Sequence, residues 1–370
     1  MNKTRIFGIL TVIFFILFSV ESQAHKTHLK NKNKKNIVKY AKGFSIIRHK
    51  NGDYTVTVYS PWEKETVLAK YHLVTGKAHK GEIHIPVKRA AVFSATQLNA
   101  FSKLGLLNNV VGVSDLRFLQ NTKIKQLAKE GKISELSAGG NFFTEKILET
   151  NPGILFYSPY RSGFKLPVAL KGILTVPFLD FMELSPLGRA EWIKFTAVFF
   201  NKEKEADSIF SNITSFYFKF KRLAEKVSYH PTVLSGKFFG GQWYVPGGKS
   251  YIAKLFADAG ANYVWKNNSN TNSIPLDFET VYQKAGDADF WRIVGTMGTK
   301  DFYRNLASEN PLYAQFYAFK KKHILYCNSV KTAYFETSAL APHLVLADFI
   351  KAFHPELLPY YKPVYYRVLH

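Results

Sequence analysis

The sequence predicts an α/β protein of two Rossmann-like lobes. Each is built on a parallel sheet, one long rigid helix joins them, and a ligand cleft lies between. A small antiparallel β addition precedes both. Three observations carry this reading. Short apolar strands alternate with helices in two separate stretches of the chain. Between them, residues 185–227 carry no strand signal. The two αβ stretches also echo one another in order, as a duplicated lobe would. With 370 residues, 46% apolar and 21% charged, the chain has globular composition and length for more than one domain.

Composition excludes several classes. The single cysteine, Cys327, rules out a disulfide within the chain, and a cysteine-based zinc or iron–sulfur site has too few ligands. A net charge of +23 suggests an acidic partner, whether a small anion, an anionic polymer or a membrane surface. Aromatic residues make up 16%, a surplus that suits a large flat ligand once core packing is supplied.

Residues 1–24 read as a cleaved secretory signal peptide: Lys3 and Arg5, an apolar run over 6–20, then Ser22-Gln23-Ala24. The run is short for a membrane span. No cysteine lies near the cleavage site, so a soluble periplasmic protein without a lipidated cysteine is expected. Residues 25–36, rich in Lys and Asn, read as a solvated basic linker. Residues 37–85 form the β addition, with Asn51-Gly52 as a hairpin turn. The first lobe covers 86–185, with strands expected at 89–93, 110–113 and 153–157 and helices at 96–104 and 143–150. A helical linker covers 186–229. Ser185-Pro186 caps its first helix. Its second helix, about 201–227, bridges the lobes with Ile209, Ile213, Phe216 and Phe220 on the apolar face. The second lobe covers 230–370, with strands at 232–234, 263–265, 290–294 and 323–327.

The internal echo is specific. Glu145 opens a short helix that breaks seven residues later before a strand, and Glu279 does the same. Leu104-Gly105 followed by Val110-Val111 parallels Ala259-Gly260 followed by Tyr263-Val264. In this order and spacing, the segments 89–97, 104–114, 145–152, 248–261 and 276–281 resemble substrate-binding proteins of ABC importers for cobalamin, haem or ferric siderophores. The resemblance covers about 86–369. It implies two lobes bridged by a rigid helix, an ABC permease as partner, and an iron chelate, haem or cobalamin as ligand. It also implies that Glu145 and Glu279 meet permease arginines. A first-turn carboxylate is favourable in its own right, and two such points would fix a docking register.

In an α/β lobe the loops after strand ends face the site. Those loops nominate Thr96, Gln97, Tyr160, Arg161, Gln242, Trp243, Tyr244 and Tyr334 as ligand-binding residues. Thr96 and Gln97 would donate hydrogen bonds, and Arg161 would clamp an anion beside a stacking Tyr160. Trp243 and Tyr244 would offer flat faces, and Tyr334 would close the cleft. No catalytic or metal site and no resident cofactor are expected, although the ligand can itself carry iron or cobalt. The eleven histidines show no metal-binding spacing. His343 and His354 read as capping or surface residues. Gly247-Gly248-Lys249-Ser250 lacks the leading glycine of a phosphate loop, Trp243 standing there instead. It reads as a turn with Ser250 capping a helix. A monomer that does not bind nucleic acid is expected. The alternatives are a secreted hydrolase or a basic binding module acting on an anionic polymer. The first lacks a nucleophile–base signature, and the second lacks a contiguous cationic stripe.

Overall fold

The computed structural model describes residues 35–370. The expected signal peptide lies outside them, as does the basic linker apart from its last two residues. Asn36, expected in that linker, is part of the fold. Its backbone bridges to Ile47, and its Oδ1 accepts from the amides of Val38 and Ile46.

The N-terminal addition is a four-stranded sheet of β1 (Phe44–Arg48), β2 (Tyr54–Tyr59), β3 (Val67–Val74) and β4 (Glu82–His84), antiparallel as expected through β3 but with β4 added parallel. Asn51-Gly52 turns β1 into β2, with Gly52 at φ +90°, a conformation natural to glycine. Alternation in β2 buries Tyr54, Val56 and Val58 against the rest of the protein. Phe44 meets Trp192 and Phe195, and the Tyr71 hydroxyl donates to the carbonyl of Thr175 at 2.8 Å.

The first lobe runs β5 (Ala90–Val92), α1 (Ala95–Lys103), β6 (Val110–Val113), α2 (Thr122–Lys129) and β7 (Ser134–Glu135). A small hairpin, β8 (Ser137–Ala138) and β9 (Asn141–Phe142), leads to α3 (Thr144–Thr150), β10 (Ile154–Tyr157) and β11 (Thr175–Pro177). The sheet order is β11-β10-β5-β6-β7, every pair parallel.

Two helices follow. In α4 (Pro186–Val198), the Ser185 hydroxyl accepts from the Gly188 amide at 2.9 Å, and Pro186 fills the first turn. Almost every residue of α4 is buried, so it is a core helix rather than a tether. Helix α5 (Glu203–Ala224) has 22 residues, or about 33 Å. Its buried face is Ala206, Phe210, Ile213, Tyr217 and Ala224. That corrects the expected stripe: Ile213 belongs to it, but Phe216 is exposed, and Ile209 and Phe220 only flank it.

The second lobe comprises β12 (Thr232–Ser235), β13 (Phe238–Phe239), β14 (Gln242–Pro246), α6 (Tyr251–Asp258), β15 (Asn262–Tyr263), β16 (Ser273–Leu276), α7 (Phe278–Ala285) and β17 (Phe290–Gly295). It continues with α8 (Phe302–Glu309), α9 (Tyr317–Lys320), β18 (Ile324–Asn328), α10 (Tyr334–Thr337), α11 (Pro342–Phe353) and β19 (Arg367–Leu369). The main sheet is β15-β12-β17-β18-β19, parallel except for β19, which the C-terminal tail adds antiparallel. Strands β13, β14 and β16 form a separate antiparallel sheet. The lobes touch where α1 packs on α10. Asn99 donates to the carbonyl of Thr337 at 3.2 Å, and Glu336 accepts from the Gln120 amide at 2.7 Å. Among the described residues no helix is long and apolar enough to cross a membrane.

Candidate functional site: strand-end loops facing an inter-lobe cleft

Parallel strands end at the same side of each lobe, so their following loops gather there. Those loops carry large aromatics that the core does not cover. In the first lobe Phe118 is 73% and Tyr160 67% exposed; in the second, Phe239 is 76% and Phe335 64% exposed. Two have an arginine over the ring: Arg117 on Phe118 at 5.5 Å and Arg161 on Tyr160 at 5.9 Å. Arg161 edges its flat ring with positive charge, whereas the Arg117 guanidinium is paired with Asp115, its Nε donating to Oδ1 at 2.8 Å. A cavity of about 570 Å³ opens at the second lobe's strand ends, with Lys237, Thr296, Met297, Ser329 and Phe335 among its lining. That volume is in the range of small-molecule sites.

The nominated residues divide by burial. Tyr160, Arg161, Gln242 and Tyr244 are exposed, and the Tyr244 hydroxyl donates to Gln242 Oε1 at 3.4 Å. Thr96 is half-buried and donates to Asp180 at 3.1 Å. The other three require correction. Gln97 is fully buried, its amide donating to Ser158 Oγ at 3.0 Å, so it braces the loop after β10 from behind. Trp243 has 0% exposure. Its Nε1 donates to the carbonyl of Ser235 at 3.3 Å, and its ring packs with Trp291, Tyr313 and Phe316. Its flat faces therefore belong to the core of the second lobe. Tyr334 is buried against Tyr365 and Tyr366, and its neighbour Phe335 is the exposed ring of that loop.

Phe118 escaped sequence reasoning, because an isolated phenylalanine reads as core until burial is known. Phe239 and Phe335 lie in the segments 238–244 and 334–336 that were expected to face the cleft, but Trp243, Tyr244 and Tyr334 were nominated from them instead. His354 is the C-cap of α11, as one of the two expectations had it: its amide donates to the carbonyl of Ile350 at 2.8 Å, and its side chain is buried. His343 is partly buried and stacks near Phe216 at 6.1 Å. Among the described residues, no group of three or more His, Cys, Asp or Glu could hold a metal ion. Glu145 and Glu279 are exposed, each in the first turn of its helix, α3 and α7.

A family model for periplasmic binding proteins matches residues 91–330, which include the strand-end loops of both lobes. The chain belongs to the periplasmic binding protein family. An uncharacterised lipoprotein of Methanocaldococcus jannaschii is 28% identical to this binding protein over 397 residues, covering 96% of this chain and 94% of the relative. A second from the same organism is 28% identical over 361 residues, covering 92% and 88%. Among solved structures, a periplasmic heme binding protein from Pseudomonas aeruginosa matches with TM-score 0.57 at 18% identity, covering 75% of this chain and 96% of that one. The siderophore binding protein BauB, bound to acinetobactin and ferric iron, matches with TM-score 0.57 at 18% identity, covering 81% and 99%. These likenesses establish the two-lobe fold. The family consists of binding proteins of ABC importers, not enzymes, and so sets aside the hydrolase alternative. Its members act outside the cytoplasm on a small-molecule ligand, with a permease as partner. The archaeal relatives are named lipoproteins, whereas the single cysteine of this binding protein, Cys327, is buried in β18.

Proposed function

We propose that this binding protein captures an iron chelate, haem or cobalamin between its lobes and delivers it to an ABC permease. It works as a periplasmic monomer, exported through a cleaved signal peptide and not held by a lipidated cysteine. The observation that carries the reading is the set of four exposed aromatic rings at strand ends, two on each lobe. Uncovered rings cost free energy in water, and a large flat apolar ligand would cover them. The positive edge from Arg161 suits the carboxylates of haem or an anionic chelate better than a neutral corrinoid, whereas Arg117 is already paired with the Asp115 carboxylate. Support also comes from the similar solved proteins, which are named for heme and siderophore.

Titration of the mature protein with hemin, ferric enterobactin and cyanocobalamin, followed by tryptophan and tyrosine fluorescence, tests the reading. One of the three should bind at micromolar concentration or tighter, and Phe239→Ala or Phe335→Ala should weaken it about tenfold, or about 1.4 kcal/mol. Failure of all three to bind would remove the proposal. Glu145 and Glu279 dock the permease in this scheme. The double variant Glu145→Ala/Glu279→Ala should keep ligand affinity and lose transport in cells, and normal transport would refute the docking role.

A further inference from the structure

Between the lobes lies a cavity of about 790 Å³, part of the ligand cleft. The first lobe lines it with Phe181 and Leu184, in the loop after β11, and the second with Tyr251 and Arg292. Its charges are unbalanced. Among the described residues Glu183 is its one acidic member. The oxygens of Glu183 accept from the amides of Lys42 and Gly43 and from Trp192 Nε1, so this carboxylate is committed to holding the N-terminal segment.

Arg292, in β17, is 9% exposed, and each of its hydrogen-bond partners is neutral. Nε donates to the Tyr366 hydroxyl at 3.1 Å, Nη2 donates to the same oxygen, and Nη1 donates to Ser235 Oγ at 3.1 Å. Three of the five guanidinium N–H groups are thus engaged, and two are left. Burial pushes the Tyr366 hydroxyl well above its ordinary value, so it stays neutral beside the guanidinium and supplies no counter-charge. Arg189, buried in α4, differs in having the carboxylate of Asp180 at 3.7 Å. A guanidinium withdrawn from water without a counter-charge is costly, and hydroxyl dipoles offset only part of that cost. The hydroxyl that holds Arg292 is itself held. Asp348 accepts from the amides of Tyr365 at 2.7 Å and Tyr366 at 2.9 Å, the Tyr366 ring packs on Phe349 at 4.9 Å, and the chain then pairs with β18 as β19. A planar guanidinium fastened along one edge to a fixed oxygen presents its remaining N–H groups in one orientation.

We propose that Arg292 pairs an oxyanion of the cargo in the inter-lobe cleft, and that Tyr366, reaching it from the C-terminal tail, is its positioning residue. This rests on the inter-lobe capture proposed above and narrows its cargo. The ligand is an anion, haem through a carboxylate or an anionic iron chelate, and not a neutral corrinoid. A charge-assisted bond to the cargo supplies the counter-charge that the protein itself withholds from Arg292.

Fluorescence titration of the mature protein with hemin, hemin dimethyl ester, ferric enterobactin and cyanocobalamin tests the proposal. Hemin and its ester share one iron porphyrin and differ in the carboxylates, which the ester caps. Hemin or ferric enterobactin should bind at least about tenfold tighter than cyanocobalamin and the ester. Arg292→Gln should cost that anion about tenfold and leave the neutral compounds as they were, a split that structural damage alone would not produce. Tyr366→Phe removes the shared acceptor and should cost the anion roughly threefold to tenfold. Tyr303→Phe is the control for the tail. Its hydroxyl donates to the carbonyl of Leu369 at 2.7 Å without touching Arg292, so its loss should leave affinity unchanged. Cyanocobalamin as the tightest ligand would overturn the proposal while leaving the cleft reading standing, and so would Arg292→Gln binding the anion like wild type. The positioning role falls if Tyr366→Phe binds like wild type or if Tyr303→Phe loses as much. Binding of none of the four would remove the cleft reading and this proposal with it. Circular dichroism checks each fold, and should Arg292→Gln not fold, the anion preference and the two tyrosine variants decide.

Discussion

Three buried carboxylates hold the chain's described ends in place. Glu191, in α4, accepts from the amides of Lys39 at 2.9 Å, Tyr40 at 2.6 Å and Ala41 at 3.0 Å. Glu183 takes the next two amides. Asp348, in α11, accepts from the amides of Val364, Tyr365 and Tyr366 at 2.7–2.9 Å and from the Tyr361 hydroxyl. Consecutive buried amides need an acceptor, and one carboxylate supplies it without a strand partner. Glu191→Ala should therefore destabilise the protein by about 3–5 kcal/mol, and Glu191→Gln, which keeps one acceptor oxygen, by less. Urea denaturation at neutral pH measures both, and a loss within about 0.5 kcal/mol for Glu191→Ala would refute the clasp. His343 sets a pH dependence. Burial, aided by the Lys103 charge, pushes it down to about 4. It stays neutral in the folded protein where the unfolded chain, titrating near 6.5, takes up a proton. Stability held above pH 6.5 is then lost as pH falls toward 4, by about 2–3 kcal/mol. His343→Phe should flatten that part of the stability curve, and an unchanged slope would rule His343 out as its source.

At the scale of elements, local signals in the sequence were legible. Ser185-Pro186 opens α4, Ser250 caps α6 by accepting from the Ala253 amide at 3.2 Å, and Asn51-Gly52 turns a hairpin. The face an element buries was harder to read, because that depends on what lies against it. The buried residues of α5, Ala206, Phe210, Ile213, Tyr217 and Ala224, share one face at helical spacing, with Phe210 against Tyr40 at 5.8 Å. Phe216 and Phe220 sit beside that face, near His343 at 6.1 Å and Tyr361 at 6.4 Å, so the expected stripe was rotated from the true one. Within the aromatic run 238–244, strand alternation sends Trp243 inward and Tyr244 outward. The two should respond differently to truncation. Trp243→Ala should cost about 3–5 kcal/mol of stability, and Tyr244→Ala under about 1 kcal/mol. Thermal and urea melts of the two variants distinguish them, and equal losses would show that the alternation argument is wrong. The Glu191 arrangement was invisible in the sequence, since its partners Lys39, Tyr40 and Ala41 lie 150 or more residues away.

At the scale of the whole molecule, α4 and α5 tie both lobes into one core. Helix α5 meets the N-terminal segment through Phe210. It meets the second lobe through the Tyr217 hydroxyl, which donates to Asp258 at 2.6 Å, and through Lys221, which pairs with Asp258 at 3.0 Å. The lobes also touch directly between α1 and α10. Swinging one lobe far would expose Phe210, Ile213 and Tyr217. At roughly 1.5–3 kcal/mol each, that costs about 5–9 kcal/mol. A micromolar ligand supplies about 8 kcal/mol in all, most of it already needed for its own capture. Ligand binding should therefore move the lobes by only a few degrees and leave the shape in solution almost unchanged. A compact chain of this length has a radius of gyration of about 20 Å. Small-angle scattering of the protein with and without its best-binding chelate should show radii that agree within about 1 Å on that scale. A larger contraction would mean that α4 and α5 bend or slide on binding, and the rigid-frame argument would then fail.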